Sequence, residues 1–158
     1  MANFSFRDEI TYKDVLLINV FCLKKSEPYG VVDENRIRSA LGNQFQPYPN
    51  DEQAFASVYK SLVINHGFLN GNKRTGVITL YLASLIINNP IKISDQELSD
   101  LTYQIAGEGG SQIPVEVIAD KVFGKQQKRK ISITNFNVRE TIVSYIKNHA
   151  WLMKELAK

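Results

Sequence analysis

The sequence predicts an all-α protein. Three observations carry that expectation: apolar residues recur at helical spacing, capping residues stand ahead of those runs, and glycine or proline stops follow them. With 158 residues, of which 44% are apolar, the chain can bury one sizeable core but falls short of two ordinary domains. It contains no internal repeat and no low-complexity segment. The expected architecture is a compact helical bundle with one short extended or β-hairpin flap.

A first helix is expected where Val15, Leu16, Ile18, Val20 and Leu23 share a broad face, with Thr11 and Asp14 placed to cap it and its end near Pro28. The second runs from about Asp33 to Leu41, with Ile37 and Leu41 spaced i, i+4 and Gly42-Asn43 as a stop. Residues 42–50 contain Pro47 and Pro49, which push Gln46 and Tyr48 toward extended conformations, so a loop or flap is expected there. Asn50, followed by Gln53, opens a largely buried helix through Phe55, Val58, Tyr59, Leu62 and Val63.

The next helix starts at Lys73 or Arg74 and ends at Ile87, before Asn88-Asn89-Pro90. Its apolar run from Val77 is too short and too interrupted, by Thr79 and Ser84, to span a membrane. After the short alternating piece IKIS, Ser94 and Glu97 form a capping-box pattern that opens a helix ending at the glycines from Gly107. Pro114 is placed to start the short helix PVEVIADKVF. Asn137 with Glu140 opens a last helix carrying Ile142, Val143, Ile146 and Trp151. Residues 1–124 are expected to form the principal unit, and residues 125–158 a basic linker plus a helix packed on it.

Charge excludes several function classes. Charged residues make up 22% of the chain, both signs are interleaved, and the net charge is +3, which argues against a dedicated nucleic-acid surface. The one dense basic run, Lys125 to Lys130, has no aromatic residue that could stack on a base and reads as a solvated linker. Cys22 is the only cysteine, so the chain alone builds neither a disulfide nor a cysteine-ligated zinc site. No secretory signal is visible at the start, and a cytoplasmic, membrane-free setting is expected.

The segment between the two most apolar helices, HGFLNGNKRT at residues 66–75, is too rich in special residues for a plain connection. Gly71 permits backbone conformations that turn successive N–H groups inward, and the following helix aims its positive dipole end at the same place. Lys73 and Arg74 add side-chain cations suited to phosphate oxygens. Two cations at a helix N-terminus oppose the dipole and therefore require an anion nearby. His66 ends the preceding helix and has the chemistry of a general base for an attacking hydroxyl. A base beside a phosphate cradle points to phosphoryl or nucleotidyl transfer.

This segment resembles the signature of the Fic/Doc family, in particular the Doc (death-on-curing toxin) branch, in which Lys-Arg replaces the Gly-Arg of typical Fic enzymes. The order of elements is similar over about residues 10 to 124. The resemblance implies a helical fold with His66 as general base, Phe68 packed inward, and Gly71, Asn72, Lys73 and Arg74 on the phosphates of ATP. It implies a metal-binding acid at position 70, where this chain has Asn70, a weaker neutral ligand for Mg²⁺. It also implies a flap, placed at residues 43–49 with Gln46, Pro47 and Tyr48, that pairs with the target as a strand.

Members of the family move phosphate-containing groups to protein hydroxyls. Doc itself phosphorylates a threonine of elongation factor Tu and is restrained by an antitoxin. The missing further Arg after Thr75 favours the kinase-like outcome, with adenylyl transfer as one alternative and a catalytically weakened nucleotide- or protein-binding module as another. Ser5 to Glu9 fits the first part of the family's inhibitory-helix pattern, but Ile10 breaks it. His149 lacks such surroundings and reads as an exposed helix residue. Tyr48 fits a target contact and a plain loop aromatic equally well.

Overall fold

The computed structural model describes residues 4–6, 8–125 and 135–158. Residues 126–134, which hold most of the basic run, lie outside the described residues. Eight α-helices make up the described chain. They are α1 (Tyr12–Cys22), α2 (Glu34–Gly42), α3 (Asp51–Asn65), α4 (Asn72–Ile86), α5 (Asp95–Ala106), α6 (Val115–Phe123), α7 (Val138–Asn148) and α8 (Ala150–Glu155). Two three-residue strands, β1 (Phe4–Phe6) and β2 (Asn135–Asn137), pair antiparallel, with Ser5 opposite Phe136.

Helix starts follow the capping chemistry. Thr11 and Asp14 form a reciprocal capping box on α1, Ser94 and Glu97 form another on α5, and Asp33, Asn50 and Asn137 cap α2, α3 and α7 with their side chains. Pro114 sits one position outside α6.

α3 and α4 form the centre. Both are apolar nearly all round, and the other helices cover them. Val58, Tyr59, Val63, Val77, Ile78, Leu80 and Leu82 are sealed from solvent. The two helices approach so closely at Gly76 that a Cβ there would lie 2.7 Å from Val63 Cγ2. α1 packs on α4, α2 and α6 on α3, α7 on α1 and α4, and α8 on α5.

Several expectations are corrected. α1 ends at Cys22, well before Pro28, and its buried face includes Asn19, while Val20 is 47% exposed. The segment expected as a flap contains a 3₁₀ turn at Asn43–Phe45 and then extended backbone at Gln46, with no hairpin. The alternating IKIS piece joins neither described strand, and its Lys92 N–H donates to the Val122 carbonyl of α6 at 2.8 Å. Ser5, the first residue of the partial inhibitory-helix pattern, lies in β1 (Phe4–Phe6). The final helix, expected to be continuous, breaks at His149 into α7 and α8, and Val143 and Trp151 on them are partly in solvent. No described helix is long and apolar enough to cross a membrane.

Candidate active site

α3 ends with His66 in the left-handed conformation, φ 50° and ψ 48°, a backbone state that costs a residue with a Cβ. The chain then turns through residues 67–71, and Gly71, with φ 80°, sends it into α4. Asn72 closes this turn on itself: its Oδ1 accepts from Phe68 N–H at 3.0 Å and its Nδ2 donates to the Phe68 carbonyl at 2.9 Å. Phe68 is buried, as expected, and anchors the turn in the core. His66 and the start of α4 thus flank one tight loop.

α4 has no side-chain cap, and no described residue accepts from the N–H groups of Gly71, Asn72, Lys73 and Arg74. These are the orphan donors of a helix N-terminus, and together with the dipole they form an anion cradle. Lys73 has no carboxylate partner among the described residues, and its Nζ lies 5.5 Å from the centre of the Tyr103 ring. The His66 side chain is exposed and makes no hydrogen bond to a described residue.

Arg74 does not belong to the open cradle. Its side chain is 4% exposed, and its guanidinium forks onto the Glu27 carboxylate at 2.8 and 2.7 Å while donating to the Cys22 carbonyl at 2.7 Å. That pairing holds the Glu27 carboxyl down at about 2. The anion required by two cations at one helix start is, for Arg74, supplied from within the chain. Lys73 alone remains for a ligand.

Asn70 has a different task from the one expected of it. Its Nδ2 donates to the Pro28 carbonyl at 3.1 Å, and its own carbonyl accepts from the buried Asn19 side chain at 2.8 Å. A carboxylate at position 70 could not donate to Pro28. The carboxylate seen bonded into this loop, that of Glu27, is committed to Arg74, and among the described residues no group of three or more His, Cys, Asp or Glu gathers. The donor set therefore does not fit an Mg²⁺ ion held by the protein. The orphan N–H groups and Lys73 do fit the phosphates of a nucleotide.

The element beside the loop is not residues 43–49. Tyr48 donates its hydroxyl to Ser57 at 2.8 Å, and Asn43 donates to Ser61. Ser57 precedes His66 on α3 by about two and a half turns, roughly 13 Å along the axis. Among the described residues, Gln46, Pro47 and Tyr48 make no hydrogen bond to the loop at residues 66–75. Residues 28–33 are brought there instead. Val31 forms an antiparallel bridge with Phe68, Leu69 N–H donates to the Gly30 carbonyl at 2.9 Å, and Val32 N–H donates to the Gly67 carbonyl at 2.8 Å.

That bridge leaves the N–H and carbonyl of Val31 directed away from the loop. Tyr29, Val32 and Leu69 around it are about half exposed. Asn19, Glu27 and residues 28–32 are the site residues that sequence reasoning missed. The one available signal was the chemical need of a buried arginine for a carboxylate.

His149 is not a free surface residue. Its Nδ1 lies 2.9 Å from Asp95 Oδ1, and its ring stacks on Tyr81 with centroids 4.3 Å apart. This pair ties the α7–α8 junction to the start of α5 and lies apart from the loop.

Comparison with known proteins finds no matching family model, no matching curated protein and no matching solved structure.

Proposed function

We propose that the chain is a Doc-like transferase that moves the γ-phosphoryl group of ATP to a Ser or Thr hydroxyl of a protein. One observation carries this reading: among the described residues, an exposed histidine with no hydrogen bond shares a tight loop with a helix N-terminus that has no side-chain cap, four N–H groups without an acceptor and a lysine with no carboxylate partner. In this reading the orphan amides and Lys73 hold the phosphates and stabilise charge on the transferred group. His66 accepts the proton of the attacking hydroxyl. Residues 28–32, rather than 43–49, offer the target an open backbone edge for strand addition. The resemblance of the loop to the Doc signature supports a translation protein such as elongation factor Tu as target and an antitoxin as regulator.

The test is intact-mass analysis of proteins in a cell extract incubated with the purified chain and ATP. Addition of one phosphate to a target, lost in His66→Ala, supports the reading. Addition of an adenylyl group instead assigns the nucleotidyl alternative. A second reading, a module that binds nucleotide without turnover, is favoured by the burial of Arg74 against Glu27 and by the commitment of the Asn70 amide to Pro28. It predicts ATP binding with no mass change in any protein.

A further inference from the structure

Asn19 lies on α1, far in sequence from the loop, and is sealed from solvent. Its Nδ2 donates to the Asn70 carbonyl at 2.8 Å and to the Thr75 hydroxyl at 3.0 Å. Those two acceptors lie on either side of the Gly71 turn and the first turn of α4. The amide orientation is set by its partners, because a flipped Asn19 would set Oδ1 against the Asn70 carbonyl. Gly71 rests directly on this group: a Cβ at position 71 would lie 3.1 Å from Asn19 Nδ2.

The same residue carries a cost. Among the described residues, Asn19 Oδ1 is buried without a hydrogen-bond partner, as is Arg74 Nε beside the same turn. A buried acceptor left unpaired is destabilising, and an apolar residue of the same shape would avoid that penalty. Asn19 is therefore poorly explained as packing. It is well explained by what its two donors hold in place.

We propose that Asn19 is a positioning residue of the anion cradle. By bracing Asn70 and Thr75 from beneath, it fixes the left-handed turn at Gly71 and so aims the N–H groups of residues 71–74 at one point. This inference rests on the reading above that the cradle takes the phosphates of a nucleotide. Its action is indirect, since Asn19 has no exposed surface with which to touch a ligand.

The experiment measures ATP binding to the full chain by calorimetry, together with the amide resonances of residues 71–74, well below the thermal midpoint of each variant. Asn19→Leu keeps the side-chain shape and removes both donors. Its ATP affinity is expected to fall at least tenfold, with altered amide positions at residues 71–74, and its thermal midpoint to fall as well, because the Asn70 carbonyl and the Thr75 hydroxyl lose their donor. Thr75→Val removes one acceptor and is expected to weaken binding to a smaller degree. The double variant should bind no more weakly than Asn19→Leu, because the hydroxyl acts through Asn19.

A folded Asn19→Leu that binds ATP within twofold of wild type overturns the inference and leaves the cradle standing. If Asn19→Leu does not fold, unchanged affinity in Thr75→Val overturns it. If ATP leaves the 71–74 resonances of the wild-type chain unmoved, the cradle reading falls and this inference falls with it.

Discussion

Replacing Glu27 with Gln tests the claim that the second cation of the loop is neutralised from within the chain. The substitution preserves side-chain size but leaves the Arg74 guanidinium, 4% exposed, facing an amide in place of two charge-assisted hydrogen bonds. A carboxyl held near 2 instead of its ordinary 4.5 corresponds to about 3 kcal/mol of differential stabilisation. Solvent reaching the Glu27 side of the pair lowers the expected loss toward about 2 kcal/mol.

The pH dependence follows from the direction of the displacement. The folded-state value lies below the unfolded one, so the unfolded chain takes up the proton first. The stabilisation is complete above about pH 4.5 and is lost progressively as pH falls toward about 2. Urea denaturation followed by circular dichroism at pH 7 should therefore separate wild type from Glu27→Gln by about 2 kcal/mol, and the gap should narrow steadily below pH 4.5. A gap below about 0.5 kcal/mol at pH 7, the size of an ordinary surface substitution, would refute the reasoning. So would a gap that stays constant down to pH 2.5.

Three further outcomes are expected. His66→Gly removes the side chain assigned as base and relieves the left-handed backbone at φ 50°; denaturation should show a gain of up to about 1 kcal/mol, while phosphoryl transfer is abolished. Gly76→Ala places a Cβ 2.7 Å from Val63 Cγ2 between the two central helices, and the melting curve should report a loss of about 1–3 kcal/mol. Tyr59→Phe deletes a fully buried hydroxyl bonded to Thr102 at 2.7 Å; because Thr102 keeps its bond to the Leu98 carbonyl, the cost in urea denaturation should be about 1 kcal/mol.

The helices were legible in the sequence because their caps are local. Thr11, Asn50, Ser94 and Asn137 announce helix starts within three residues of themselves, and the structure uses each of them. The turn before α4 was legible for a similar reason, since Gly71 and Asn72 shape it within a few residues of themselves. Arg74 was misjudged because its partner lies 47 positions away in an unremarkable polar connection. A solvated arginine and a buried, paired one look alike in sequence. Prolines at positions 47 and 49 mark extended backbone without saying what it lies beside. The bridging partner of Phe68 depends on how α1 and α2 dock, which no local pattern encodes.

The floor beneath the loop also bears on the order in which the molecule can assemble. Asn19 and Asn70 are 51 positions apart, and Cys22 and Arg74 are 52. Closing a loop of that length carries an entropic cost that local helix formation alone does not recover. The turn at Gly71 can thus acquire its working shape only after α1 has docked on α4. Every contact in that floor lies upstream of Ile86, so its assembly draws on α1, α4 and the connection after α1 and on no residue of α5 to α8.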